Sequence, residues 1–108
     1  MATFNDIAEL GKGQVASTIG AIYTTPTGKV AQVKTVILHN TNTTAENVRI
    51  GKGGTATSDY LLNISLAANE TFEFSPAVPL AFVGDEVLYG LTTTASKVNY
   101  FVYGQREA

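Results

Sequence analysis

From Ser17 onward the chain alternates apolar and polar residues in short runs, with turn residues recurring roughly every eight to twelve positions. The clearest period of two lies between Ser58 and Leu66. There Tyr60, Leu62, Ile64 and Leu66 point one way and Asp59, Leu61, Asn63 and Ser65 the other. Ala21 to Thr24 predicts a short strand, and Lys29 to His39 predicts the longest one. The latter carries Val33 and Ile37 as well as Val36 and Leu38, so it is apolar on both faces. Such a strand is either central and covered twice, or bulged. Glu46 to Ile50 alternates, with Val48 and Ile50 inward and Arg49 outward. Phe72 and Phe74 flank Glu73, Val87, Tyr89 and Leu91 form one face, and Val98, Tyr100 and Val102 alternate with Asn99, Phe101 and Tyr103.

The punctuation agrees with this reading. Thr25-Pro26-Thr27-Gly28 is a turn, with Pro26 supplying the fixed φ and Gly28 the permissive one. Asn40 to Thr44 is a polar turn, Gly51 to Gly54 a tight reversal, and Ala67 to Glu70 and Gly84-Asp85 two more turns. Ser75 to Pro79 is excluded from any central strand, because Pro76 and Pro79 lack a ladder donor. Residues 1–16 differ from the rest. Phe4, Ile7 and Leu10 recur at spacings of three, as in one or two helical turns, before Gly11 and Gly13 break the pattern. This segment is expected to be an N-terminal arm lying over the domain or a neighbour, or else a frayed terminus. The expectation is therefore an arm over 1–16 and a single domain over 17–108. The fold class is all-β: an antiparallel, jelly-roll-like β-sandwich of seven or eight short strands. No helical run separates the strands, which argues against an α/β fold.

Composition sharpens the picture in two places. Charged residues make up 15% of the 108, against about a quarter in ordinary soluble domains. The surface must then be covered by Thr, Ser, Asn and Ala, which suits either extensive protein contact or a plain β-surface. Cysteine is absent, so core packing or assembly must hold the chain together. The formal net charge is -2 and the seven basic residues are scattered, which argues against a nucleic-acid partner. The first residues contain Asp6 and Glu9 and lack the apolar run of a signal peptide, and no apolar run is long enough to span a membrane as a helix.

Candidate chemistry is thin. His39 is the one histidine, so neither a histidine-based metal cluster nor a convincing Ser-His triad can be assembled. Asp85 and Glu86 are adjacent and would face opposite ways on a strand. Gly51-Lys52-Gly53-Gly54-Thr55 lacks the order of a phosphate-binding loop. No catalytic, cofactor-binding or metal-ligating residue is therefore assigned, no cofactor is expected, and the chain is read as not an enzyme. Phe101 and Tyr103 place apolar bulk on the face that should be wet. Two explanations stay open for them: a central strand covered on both faces, or a surface pressed against a partner.

Three stretches carry a resemblance to a known group. They are AIYTTPTGKVAQVKTVILHNTNTT, YLLNISLAANETFEFS and PLAFVGDEVLYGLTT. In their order of strands and turns they resemble small β-sandwich or jelly-roll structural proteins of tailed bacteriophage particles. The resemblance implies a virion location and a mechanical role. Capsid decoration comes first, with a tail, baseplate or fibre component, or a receptor- or glycan-binding module, as the alternative. It also implies a homo-oligomer, a trimer being favoured, that contacts other virion proteins such as the capsid shell. The residues expected to make protein contacts are Phe4, Ile7 and Leu10 of the arm, with Phe101 and Tyr103.

Overall fold

In a computed structural model, residues 4–107 are described. Nine strands occur among them: β1 (Ala8–Gln14), β2 (Gly20–Thr24), β3 (Ala31–Asn40), β4 (Glu46–Lys52), β5 (Tyr60–Leu66), β6 (Thr71–Phe74), β7 (Leu80–Phe82), β8 (Val87–Thr92) and β9 (Val98–Arg106). A 3₁₀ turn at Thr57–Asp59 precedes β5. All pairings are antiparallel. The first sheet runs β1-β9-β3-β6, with β7 also on β3, and the second runs β2-β8-β4-β5. β6 pairs with the C-terminal half of β3 and β7 with its N-terminal half. They are one edge strand interrupted by Ser75 to Pro79, because two prolines cannot donate to the ladder. Counted that way, eight strands divide between two four-stranded sheets in the order of a jelly roll, with β4 and β5 a hairpin within the second.

β3 satisfies both sequence expectations at once. It is central, hydrogen-bonded to β9 on one side and to β6 and β7 on the other. It is also bulged, since its register against β9 shifts between Val33 and Thr35. Val33, Val36 and Leu38 point into the core, and Ile37 lies on the outer face. Val48, Ile50, Leu66, Leu88, Phe82, Val98 and Val102 complete the fully buried centre between the sheets.

Three expectations are corrected. The Phe4-Ile7-Leu10 spacing does not make a helix: half of the supposed arm is β1, an edge strand laid along β9, and Phe4 makes an isolated bridge with Glu107. Tyr60 is out of phase with Leu62, Ile64 and Leu66, because the β4–β5 register shifts between Ile50 and Gly51. β8 is phased opposite to its apolar pattern. Leu88, Gly90 and Thr92 are buried while Val87, Tyr89 and Leu91 face outward. Gly90 goes inward because little room exists there: a Cβ would sit 3.2 Å from Ile22 Cγ2 and 3.4 Å from Ile50 Cδ1.

Buried polar groups tie the loops at one end of the sandwich. Asn40 Nδ2 donates towards the carbonyls of Thr44, Leu66 and Ala67 at 3.0–3.1 Å, and its Oδ1 accepts from the Asn42 amide at 2.9 Å. Glu46, 2% exposed, accepts from Asn42 Nδ2, the Thr92 hydroxyl and the Thr94 amide at 2.7–3.1 Å. Burial alone would raise the Glu46 pKa. Its donors outweigh that cost and hold it below the ordinary carboxylate value. At the opposite end Lys52 donates to Glu86 at 2.7 Å and lies 4.7 Å from the centre of the Phe82 ring. That lysine chiefly lowers the Glu86 pKa, against the opposing effect of partial burial.

Two predictions follow from this packing. Gly104 faces β3 at the bulge, where a Cβ would collide with the Gln32 carbonyl. Gly104→Ala should therefore cost on the order of 1–3 kcal/mol in equilibrium denaturation. Gly20→Ala, with only the Thr18 carbonyl at 3.9 Å, should change stability by less than about 1 kcal/mol. The second concerns acid. A carboxylate with a depressed folded pKa adds stability above its unfolded value, about 4.3 for Glu, that is lost as pH falls through the folded value. Glu46→Gln should destabilise by roughly 1–3 kcal/mol at neutral pH, because its amide would face donors. It should also flatten the fall in stability below about pH 4, read from denaturation midpoints across pH.

Candidate functional site

The candidate site is not a cleft but a pair of outward sheet faces. On the first sheet, register sets one row as Glu73, Ile37, Phe101 and Lys12, across β6, β3, β9 and β1. The next row holds Thr35, Tyr103 and Glu9, and the one on the other side Thr71, His39, Asn99 and Gln14. Adjacent strands stand about 4.7–4.9 Å apart, so Ile37, Phe101 and Tyr103 form one apolar stripe. These three are half-buried by their neighbours and do not belong to the packed core. The polar groups around the stripe are tied to one another. His39 Nδ1 and Thr71 Oγ1 share a hydrogen bond of 2.7 Å, and Gln14 Nε2 donates to Asn99 Oδ1 at 3.3 Å. Thr35 and Ser75 hydroxyls meet at 3.0 Å, and the Ser75 hydroxyl donates to Glu73 at 3.0 Å.

The outer face of the second sheet is built in the same way. Arg49 pairs with Leu91 on one side and Asn63 on the other, and Gly51 lies between Tyr89 and Tyr60. Ala21 of β2 adjoins Tyr89. Asn47 turns its amide onto the Ile64 carbonyl at 3.2 Å. Arg49 Nε is buried and has no hydrogen-bond acceptor, so a guanidinium N–H is already desolvated on a surface of Leu and Tyr side chains.

The five residues singled out from the sequence are not brought together. Phe101 and Tyr103 lie on the outer face of the first sheet. Leu10 is partly buried and packs against the core. Phe4 is half-buried beside Glu107. Ile7 is 58% exposed just before β1. Leu61 and Leu88, apolar where the pattern left their side open, both belong to the core. Ile37, Leu91, Tyr89 and Arg49 were missed as surface candidates. The signal for Ile37 was present in a strand apolar on both faces. The β8 residues were hidden because Gly90 and Thr92 mark the inward side.

Two hollows lie along β1 and β9. One of about 220 Å³ is lined by Asn5, Asp6, Ala8, Glu9, Leu10 and Arg106. A shallow one of about 280 Å³ lies among Lys12, Gly13, Gln14, Asn99 and Phe101. Both fall below the roughly 300–1,000 Å³ usual for small-molecule sites. Among the described residues no group of three or more His, Asp or Glu side chains is placed to hold a metal ion.

No family model matches the chain, and no curated protein does. Solved structures do match in fold. A chain of the acid-stable capsid structure of Helicobacter pylori bacteriophage KHP30 superposes with a TM-score of 0.57 at 14% identity. The match covers 100% of this chain and 94% of that one. A chain from Bacillus endospore appendages, a family of disulfide-linked pili, superposes with a TM-score of 0.55 at 17% identity, covering 100% and 90%. At these identities the shared property is the sandwich fold, carried over nearly the whole of each chain.

The assignment of Phe101 to an outer face has a direct consequence. Phe101→Ser should lower stability by about 1 kcal/mol, the scale of a lost cross-strand pair with Ile37. Leu38→Ala, one row along β3 but inside, should cost about 2–5 kcal/mol. Urea unfolding of the two variants separates an outer side chain from a core one.

Proposed function

We propose that the chain is a structural protein of a bacteriophage particle, and that it acts as a capsid decoration protein in several copies. The observation that carries this reading is the outward stripe of Ile37, Phe101 and Tyr103 on a sandwich whose own core is already full. A contiguous row of outward apolar side chains suits contact with a partner. The end-to-end fold likeness to a phage capsid chain supports the same reading. The likeness to endospore pili supports a fibre less well, because this chain has no cysteine with which to make a disulfide link. Decoration of this kind works by mass action: a protein that binds the assembled shell and not its free subunits stabilises the shell. Repetition around a symmetric particle multiplies contacts that are individually weak.

A tail or fibre role with sugar binding is the second reading. It is favoured by the shallow hollow in which the Phe101 ring lies beside Asn99, Gln14 and Lys12, a ring with polar neighbours suited to a saccharide face.

The test is co-sedimentation. Antibody against the chain is used to probe gradient-purified particles from lysates of the strain that encodes it. Co-migration with the particles in many copies, with immunogold label spread over the heads, is expected. Label confined to tails would overturn decoration in favour of the second reading. A chain found only in the soluble fraction would overturn both.

A further inference from the structure

We infer that copies of this chain stack on one another through unlike faces: the outer face of the second sheet meets the outer face of the first sheet of the next copy, with Arg49 opposite Glu73. The inference rests on the reading that the chain works as repeated copies, and it names the contact between them.

Charge complementarity identifies the occupant. Among the described residues at ladder-paired, outward positions of the second sheet, Arg49 carries the only charge. Its companions are the apolar or aromatic Ala21, Tyr60, Val87, Tyr89 and Leu91, with the uncharged polar Thr24, Asn47, Asn63 and Ser65. A surface with a single guanidinium set in Leu and Tyr side chains calls for a single carboxylate set beside apolar groups. The first sheet presents a carboxylate of that kind at its β6 edge: Glu73 is exposed and stands next to Ile37, which stands next to Phe101, with Lys12 and Glu9 at the far, β1 edge.

The spacing matches as well as the charge. Arg49 and Leu91 occupy adjacent strands, as do Glu73 and Ile37. Both pairs are therefore separated by one strand spacing, about 4.7–4.9 Å. Setting Arg49 against Glu73 brings Leu91 against Ile37. One strand further, Phe101 then faces β2, where Gly20 and Ala21 leave room for a ring. The unpartnered Nε of Arg49 gains a charged acceptor in place of none, and Tyr89 and Tyr103 extend the contact on either side. Arg and Tyr in a dry apolar setting are the residue types that dominate interface energies.

Because the two faces differ, the contact is heterologous. Copies joined by it form a closed ring or continue as a stack, according to the rotation between neighbours.

The heterologous geometry gives a mixing test. Arg49→Glu alone sets carboxylate against carboxylate, and Glu73→Arg alone sets guanidinium against guanidinium. In an equimolar mixture every contact between unlike variants is again a pair of opposite charges. The expected result has three parts, read by sedimentation velocity with light scattering. The wild-type protein associates with rising concentration, each variant alone associates at least about tenfold more weakly, and the mixture regains association. Far-UV circular dichroism and unfolding midpoints equal to wild type establish that each variant is folded. If either variant is not, Arg49→Gln and Glu73→Gln replace the reversals, and each is expected to weaken association. A wild-type monomer at every concentration, single variants that associate like wild type, or a mixture of folded reversal variants that stays dissociated would each overturn the stack. None of these results depends on particle co-sedimentation, so the stack and the decoration role fail separately.

Discussion

The pairing of β3 with β9 is the constraint from which the rest of the molecule follows. These two strands are the inner pair of the first sheet, and their register decides which of two apolar sets goes inside. A slip of β9 by one residue would bury Phe101 and Tyr103 and expose Val102, and a slip of β3 would bury Ile37 and expose Val36 and Leu38. The observed register is held at one end by the bulge between Val33 and Thr35, where only a residue without a Cβ lets the Gln32 carbonyl approach Gly104. At the other end Asn40, opposite Val98, is locked by backbone carbonyls of three residues on neighbouring loops. Between those two anchors Val36, Leu38, Tyr100 and Val102 meet the core, and Ile37, Phe101 and Tyr103 are left to the outside.

Much of this was legible along the chain, and the parts that were not share one cause. Turn positions were readable because their chemistry is local. Lys29 N donates to the Pro26 carbonyl at 3.1 Å, with Gly28 at φ 73°, and the prolines of Ser75 to Pro79 split an edge strand as their missing donors require. The antiparallel sandwich was readable because alternation and turn spacing are also local. Strand phase is a relation between strands, and there local pattern misled. β8 offered Val87, Tyr89 and Leu91 as its apolar side, yet the narrow centre between Ile22 and Ile50 admits Gly90 and not a tyrosine. The bulge against Gly51 turned Tyr60 out of line in the same manner. The spacing of Phe4, Ile7 and Leu10 fits a helical turn, but β9 would otherwise have had an open edge, and seven residues of ladder bring more hydrogen bonds than an isolated turn can.

The contact surface was therefore only half visible in the sequence. Phe101 and Tyr103 stood out because β9 is apolar on both sides. Their row neighbours Ile37 and Glu73 come from strands distant in sequence, and Arg49 appeared as an ordinary outward charge. What makes these residues a surface is the pairing of four strands, which sets apolar groups one strand spacing apart and places Glu73 beside Ile37 on one face and Arg49 beside Leu91 on the other. A low share of charged residues fits the proposed contact, since faces that are dehydrated on association carry few charges to desolvate.

The central claim is that both outer faces are covered when copies meet. Hydroxyl-radical footprinting of the wild-type protein, at concentrations below and above its association, reads this residue by residue. The account predicts that Tyr89 on the second sheet and Phe101 and Tyr103 on the first become protected together as concentration rises, while Tyr23 in the core stays unreactive throughout. Equal labelling of Tyr89, Phe101 and Tyr103 at all concentrations would contradict it.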